Sequence, residues 1–137
     1  MTKAGFQTSS SATTVSAQRV SDLLCTAFEG GVSYWSEWPS PDAFPEGQSR
    51  ADFEFFHIEL PLVEGGSVKF RDAEEPDEEF ADADGYYRLN LEKVTKGLKV
   101  MAAEYPYHWG NFVSENDDAD TGDCFLQCCI FGRIIYG

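Results

Sequence analysis

The chain has 137 residues, with 24 acidic against 10 basic side chains and a formal charge of −14. A field of that sign repels nucleic acid and anionic membrane and attracts basic protein surface. The hydrophobic fraction of 42%, with aromatics at 15%, suffices for one core and argues against a wholly disordered acidic chain.

Residues 1–14 read as a flexible Ser/Thr-rich tail, and 15–137 as a single α+β domain. Ser16 is a suitable N-cap, with Val15 and Val20 as a hydrophobic staple across it. Val20, Leu23, Leu24, Ala27 and Phe28 follow at helical spacing and predict a first helix over 17–29, stopped by Gly30-Gly31. Aromatic and β-branched residues predict a strand over 32–38. Pro39, Pro41, Pro45 and Gly47 predict a loop. Residues 53–60 carry the strongest strand signal, with aromatics on both faces, and are expected at the sheet centre.

Gly65-Gly66 predicts a turn into a strand at 67–71, forming a hairpin. An acidic stretch broken by Pro76 follows, then a short strand at 86–89. Asn90 caps the clearest amphipathic helix, 91–104, with Leu91, Val94, Leu98, Met101, Ala102 and Tyr105 on one face and Lys93, Lys96 and Lys99 on the other. Residues 107–113 suggest a short helix. Asp120 is the expected cap of a last, deeply buried helix ended by Gly132, and 134–136 the expected terminal strand. The predicted architecture is α+β, a small antiparallel sheet covered by about three helices.

Catalytic and metal signatures are weak. The two histidines, His57 and His108, and the four cysteines, Cys25, Cys124, Cys128 and Cys129, match no zinc spacing and no nucleophile elbow. The thiols are expected to be reduced small hydrophobes. Two loops resemble an EF-hand only in part. With Gly85 at position six, Phe80 and Leu91 fall where ligands are needed. No phosphate-binding glycine loop is present. The expectation is a non-enzymatic protein without cofactor or metal. No apolar run approaches the roughly 20 residues of a membrane helix, and no secretory signal is legible at the N-terminus. A cytoplasmic location is expected.

The stretch Gly97-Leu98-Lys99-Val100-Met101-Ala102-Ala103-Glu104-Tyr105-Pro106, then His108, Glu115-Asn116-Asp117-Asp118-Ala119, Thr121-Gly122-Asp123, Phe125-Leu126-Gln127 and Ile134-Ile135-Tyr136-Gly137, resembles a family of small acidic bacteriophage and prophage proteins of unassigned function. Residues 21–31 with Tyr34-Trp35 resemble the N-terminal part of the same group more weakly. The resemblance implies an origin in a phage or mobile element and expression in a bacterial cytoplasm. It transfers no functional residue, and the acidic stretch 72–84 and the Ser/Thr-rich tail depart from it.

Thirteen of the 24 acids lie in two short stretches. These are Asp72, Glu74, Glu75, Asp77, Glu78, Glu79, Asp82 and Asp84, and then Glu115, Asp117, Asp118, Asp120 and Asp123. The favoured expectation is an inhibitor of a host nucleic-acid-handling defence complex, of anti-CRISPR or anti-restriction type. It would occupy a basic host groove as a nucleic-acid mimic. Asp72 to Asp84 with Glu115, Asp117 and Asp118 would supply charge; Trp35, Trp38 and Trp109 would supply exposed aromatic anchors. The alternative is a small-molecule binder that sequesters a host signalling nucleotide, with Arg50, Arg71, Arg88 and Lys93 as basic candidates by elimination. A phage assembly component is the third reading.

Overall fold

The computed structural model describes residues 6–7 and 14–137. Most of the expected tail, 1–5 and 8–13, lies outside the described residues. Phe6–Gln7 (β1) pairs antiparallel with Thr14–Val15 (β2).

The first helix begins as its sequence predicts. Ser16 Oγ accepts from the Arg19 N–H at 3.2 Å, and Ala17–Thr26 forms α1. The chain then widens into one π-helical turn, Ala27–Gly31, rather than stopping at 29. Residues 32–38 are not a strand. Val32, Trp35 and Ser36 are buried at helical-turn spacing, and the N–H groups of Trp35 and Ser36 both donate to the Val32 carbonyl. Only Ser36 makes a β-bridge, to Asp72.

The three-stranded antiparallel sheet has the order β3-β4-β5, from Ser40–Ala43 (β3), Ser67–Arg71 (β4) and Tyr86–Asn90 (β5). β3 occupies the proline-rich segment read as a loop. Proline lacks an N–H and is tolerated only on an edge strand or at a bulge. Pro41 sits on the edge, opposite Val68, beside a register shift between Pro41 and Ala43.

The expected central strand at 53–60 is instead a chain of short helical turns. Phe56–Glu59 forms α2, flanked by 3-10 turns at Arg50–Asp52 and Leu60–Leu62. The physical reason lies in which residues are buried: Phe53, His57, Leu60 and Pro61. That is the i, i+4, i+7, i+8 face of a helix, not the alternate face of a strand. The Glu59 carboxylate accepts the Phe55 N–H at 2.6 Å and so fixes the turn locally. Side-chain packing overrides the β-propensity of the aromatics.

Asn90 accepts from the Lys93 N–H and starts α3, Leu91–Glu104, followed directly by α4, Pro106–Val113. The cap of α5, Ala119–Phe131, is Asp118 rather than Asp120, with its Oδ1 3.0 Å from the Thr121 N–H. Gly132 ends α5 in the left-handed conformation at φ 74°. Among the described residues, five helices and the sheet form a single compact α+β domain.

α5 is the centre of that domain, with Cys124 to Phe131 all buried. Two glycines allow its neighbours to approach. A Cβ on Gly97 of α3 would lie 2.3 Å from Cys129 Sγ, and one on Gly122 would lie 2.9 Å from the Ala27 nitrogen. The terminal segment 134–136 is not a strand. Its partner is a buried amide: Gln127 Oε1 accepts from the N–H groups of Ile135 and Tyr136, and Gln127 Nε2 donates to the Tyr136 carbonyl. A side chain thereby does the pairing that a neighbouring strand would do. Trp35 closes the core, stacked on Tyr136 at 5.1 Å and packed on Phe70, Tyr87 and Phe131.

Candidate functional site: an anchored acidic loop

The stretch from Asp72 to Asp84 connects β4 to β5, and its acids divide into a set that closes turns and a set that faces solvent. Asp72, Asp77 and Asp82, five residues apart, each accept the backbone N–H two positions on: Glu74 at 3.0 Å, Glu79 at 3.0 Å and Asp84 at 2.8 Å. The short aspartate side chain reaches its own backbone in this way, where glutamate is one methylene too long. The loop is thus three successive side-chain-closed turns.

These aspartates also tie the loop to the domain. Asp72 is buried and accepts from the hydroxyls of Tyr136 and, at 3.4 Å, Tyr87. The Asp77 N–H donates to Tyr87 Oη at 2.7 Å. Asp82 accepts from the Tyr86 N–H at 2.9 Å and from Arg88, which also pairs with Asp42. The Tyr86 N–H first, and then Arg88, lower the Asp82 carboxyl to about 2. Phe80 packs edge-on against Phe131, so the middle of the loop is pinned to α5 as well.

Glu74, Glu75, Glu78, Glu79 and Asp84 are exposed on this scaffold, and among the described residues their carboxylates make no ion pair. Five carboxylates are therefore presented by a folded loop, not by a mobile acidic tail.

Three acids of the second stretch are spent on structure. Asp117 pairs with Arg19 at 2.5 Å, Asp118 caps α5, and Asp123 accepts from Tyr34 at 2.5 Å, Trp35 at 2.8 Å and Gln127 at 2.9 Å. The Thr121 N–H holds Asp118 below the ordinary carboxylate value. Of the expected contact residues there, Glu115 alone is exposed without a partner among the described residues; it adopts φ 61°. The structure therefore corrects the reading of Asp117 and Asp118 as free contact charges.

The aromatic set also divides. Trp35, at 2% exposure, is core and cannot be a surface anchor. Trp109 is half-buried against Phe112 at 5.5 Å. Trp38 is 54% exposed, and its backbone emerges beside the loop root, since Glu37 N–H donates to the Arg71 carbonyl and Ala73 N–H to that of Trp35.

The four cationic candidates each have an internal role. Arg50 lies over the Phe56 ring, Arg71 lies over Tyr86, Arg88 pairs with two aspartates, and Lys93 donates to the Arg88 carbonyl. Burial lowers the Lys93 amine.

His57 and Cys25 do come together, but through Glu29. Glu29 Oε2 accepts from Cys25 Sγ at 2.8 Å and lies 3.0 Å from His57 Nε2. That hydrogen bond, with burial, pushes the Cys25 thiol up to about 11. A carboxylate between thiol and imidazole disfavours the thiolate, which is the reverse of what a cysteine nucleophile requires. Cys124, Cys128 and Cys129 are buried, and burial raises the Cys129 thiol.

Among the described residues, no three His, Cys, Asp or Glu side chains converge as a metal site, and no helix is long and apolar enough to cross a membrane. A 360 Å³ cleft beside α5 is lined by Tyr34, His108, Asp120, Asp123, Gln127 and Tyr136, among others. Tyr34 and Gln127 there both donate to Asp123, and His108 Nδ1 lies 3.1 Å from Thr121 Oγ1.

No protein-family model, curated protein or solved structure matches the chain.

Proposed function

We propose that this is a non-enzymatic binding protein whose 72–84 loop docks on a cationic protein surface, as a phage-borne inhibitor of a host nucleic-acid-handling complex would. The observation that carries the reading is the division of labour in the loop. Three aspartates close its turns while Glu74, Glu75, Glu78, Glu79 and Asp84 face solvent. Charges pre-arranged on a fixed backbone cost less conformational entropy on association than those of a tail. They also speed encounter with a basic groove in a salt-dependent way. A groove built to neutralise phosphates is lined by Lys and Arg, and such a groove is the surface this loop complements. In this reading the protein acts in the bacterial cytoplasm and contacts no nucleic acid itself.

The test is affinity capture from bacterial host lysate with the parent chain and with E74Q/E75Q/E78Q/E79Q. DNA-binding assays on the captured complex follow. The expected result is a nucleic-acid-binding complex that the parent retains, the variant loses and raised salt releases, and whose DNA binding the parent blocks. Equal capture by the two proteins, or capture with DNA binding untouched, overturns the proposal.

A further inference from the structure

Trp38 is an exposed aromatic that stands against a buried polar group. Its ring packs on the His57 imidazole, centroids 4.9 Å apart, and His57 is 6% exposed. A second partner of the same imidazole is the Glu29 carboxylate, 3.0 Å from Nε2. Glu29 lies in the middle of the π-helical turn after α1, and its side chain is half exposed. Its Oε2 is occupied by Cys25 and His57, whereas Oε1 makes no hydrogen bond among the described residues. Cys25 first, then His57, hold this carboxylate below its ordinary value. A half-exposed indole and a half-exposed carboxylate thus meet the same buried ring.

The chain's own cations avoid this place. Among the described residues, Arg19 covers Phe112, Arg50 covers Phe56, and Lys69 and Arg71 share Tyr86; none covers Trp38. Phe56 itself packs edge-on against His57 at 6.0 Å, so Arg50 guards the neighbouring ring but leaves the indole open. A planar guanidinium is the cation whose chemistry suits both kinds of group, stacking on an indole and donating to a carboxylate.

We propose that Trp38, His57 and Glu29 form a seat for an arginine side chain of the partner protein. The seat deepens the reading of the acidic loop: Trp38 leaves the backbone two residues beyond the Ser36–Asp72 bridge, at the root of that loop. Loop carboxylates draw the basic surface in, and the seat fixes one arginine of it. Trp38 and Glu29 touch the guest; His57 is a positioning residue that holds both.

The test uses the purified full chain and a fluorescein-labelled octa-arginine peptide, with octa-lysine and octa-citrulline as controls. NMR follows the three indole N–H resonances of the unmodified protein, assigned with W38F. The Trp38 resonance should move along the same saturation curve as the fluorescence anisotropy. Octa-lysine should bind more weakly, and octa-citrulline should not bind. E29Q and W38A should each weaken octa-arginine about two- to five-fold, the worth of an exposed cation–π or ion-pair contact. A Trp38 resonance that stays fixed at saturating octa-arginine overturns the seat without any variant having to fold. So does parental affinity in both E29Q and W38A. If only E74Q/E75Q/E78Q/E79Q loses affinity, the seat falls and the acidic-loop reading stands. If only E29Q and W38A lose it, the seat stands and the loop reading falls.

Discussion

The division between inward aspartates and outward glutamates makes a prediction with two opposite arms. Asp72→Ala removes the acceptor of the Tyr136 hydroxyl, of the Glu74 N–H at 3.0 Å and, at 3.4 Å, of the Tyr87 hydroxyl. The long Tyr87 contact contributes little, and Tyr87 Oη keeps the Asp77 N–H. Two charge-assisted bonds remain to be counted, each worth about 1.5–3 kcal/mol, less the relief of no longer desolvating a carboxylate. The expected net loss is about 2–3 kcal/mol. For a domain of this length that is about 6–12 °C in Tm. E74Q/E75Q/E78Q/E79Q removes four charges and, among the described residues, no bond made by those side chains, taking the formal −14 to −10. Its stability should stay within about 0.5 kcal/mol of the parent, while its association rate with a basic partner falls about ten-fold or more at low salt. Urea denaturation followed by Trp fluorescence reads the first quantity, and stopped-flow binding to octa-arginine reads the second. The reasoning fails if D72A costs under about 1 kcal/mol, or if the glutamine variant is as destabilised as D72A.

Three further outcomes follow from the packing and the titrating groups. G97A places a Cβ 2.3 Å from Cys129 Sγ and 2.9 Å from the Cys129 nitrogen. It should cost about 1–3 kcal/mol by urea denaturation, partly recovered in G97A/C129A because the backbone clash persists. Asp82 is held at about 2 by the Tyr86 N–H and then Arg88. A lowered folded value means its anchoring is complete above about pH 4 and is lost as pH falls towards about 2. The Asp84 and Tyr86 amide resonances should report that loss between those limits. Cys25, raised to about 11 by its bond to Glu29, should resist iodoacetamide at pH 8. E29Q should bring its alkylation profile down towards the ordinary thiol range.

Where a helix was bounded by its own caps, its place was legible in the residues. Ser16 and Asn90 accept the N–H three residues on, as capping residues do, and α3 spans the predicted 91–104. The failures share a cause. Strand propensity measures fit to a half-buried pleated surface, which the local sequence does not contain. Val32 to Trp38 and Phe53 to Leu60 are rich in aromatics because they wrap the core as turns, with Val32, Trp35, Phe53, His57 and Leu60 inward. The real edge strand carries Pro41, and only its position at the sheet margin makes that tolerable. Neither fact can be read before the sheet order is known. Gln127 illustrates the same limit: its amide replaces the neighbour that a terminal strand at 134–136 would have needed.

The candidate surface was half legible, and the half that was missed had a signal. Counting acids treats aspartate and glutamate as equal charges, which makes Asp117 and Asp118 indistinguishable from Glu78 and Glu79. Geometry separates them, because aspartate closes turns and caps helices through its own backbone while glutamate extends past it. Asp72, Asp77 and Asp82 recur every five residues, and each closes a turn onto the backbone N–H two positions on. In the second stretch the aspartate of Asp118-x-x-Thr121 is a cap by the same rule. Weighting glutamates as contacts and aspartates as fasteners would have favoured Glu74, Glu75, Glu78, Glu79 and Glu115 over Asp72, Asp82, Asp117 and Asp118. For Trp35 no comparable rule exists. Its burial follows from the stacking of Tyr136 and the carboxylate of Asp123, both about a hundred residues away in the chain. An indole whose N–H meets an internal carboxylate has no reason to face solvent. Trp38, three residues on, stays half exposed on the buried His57 ring.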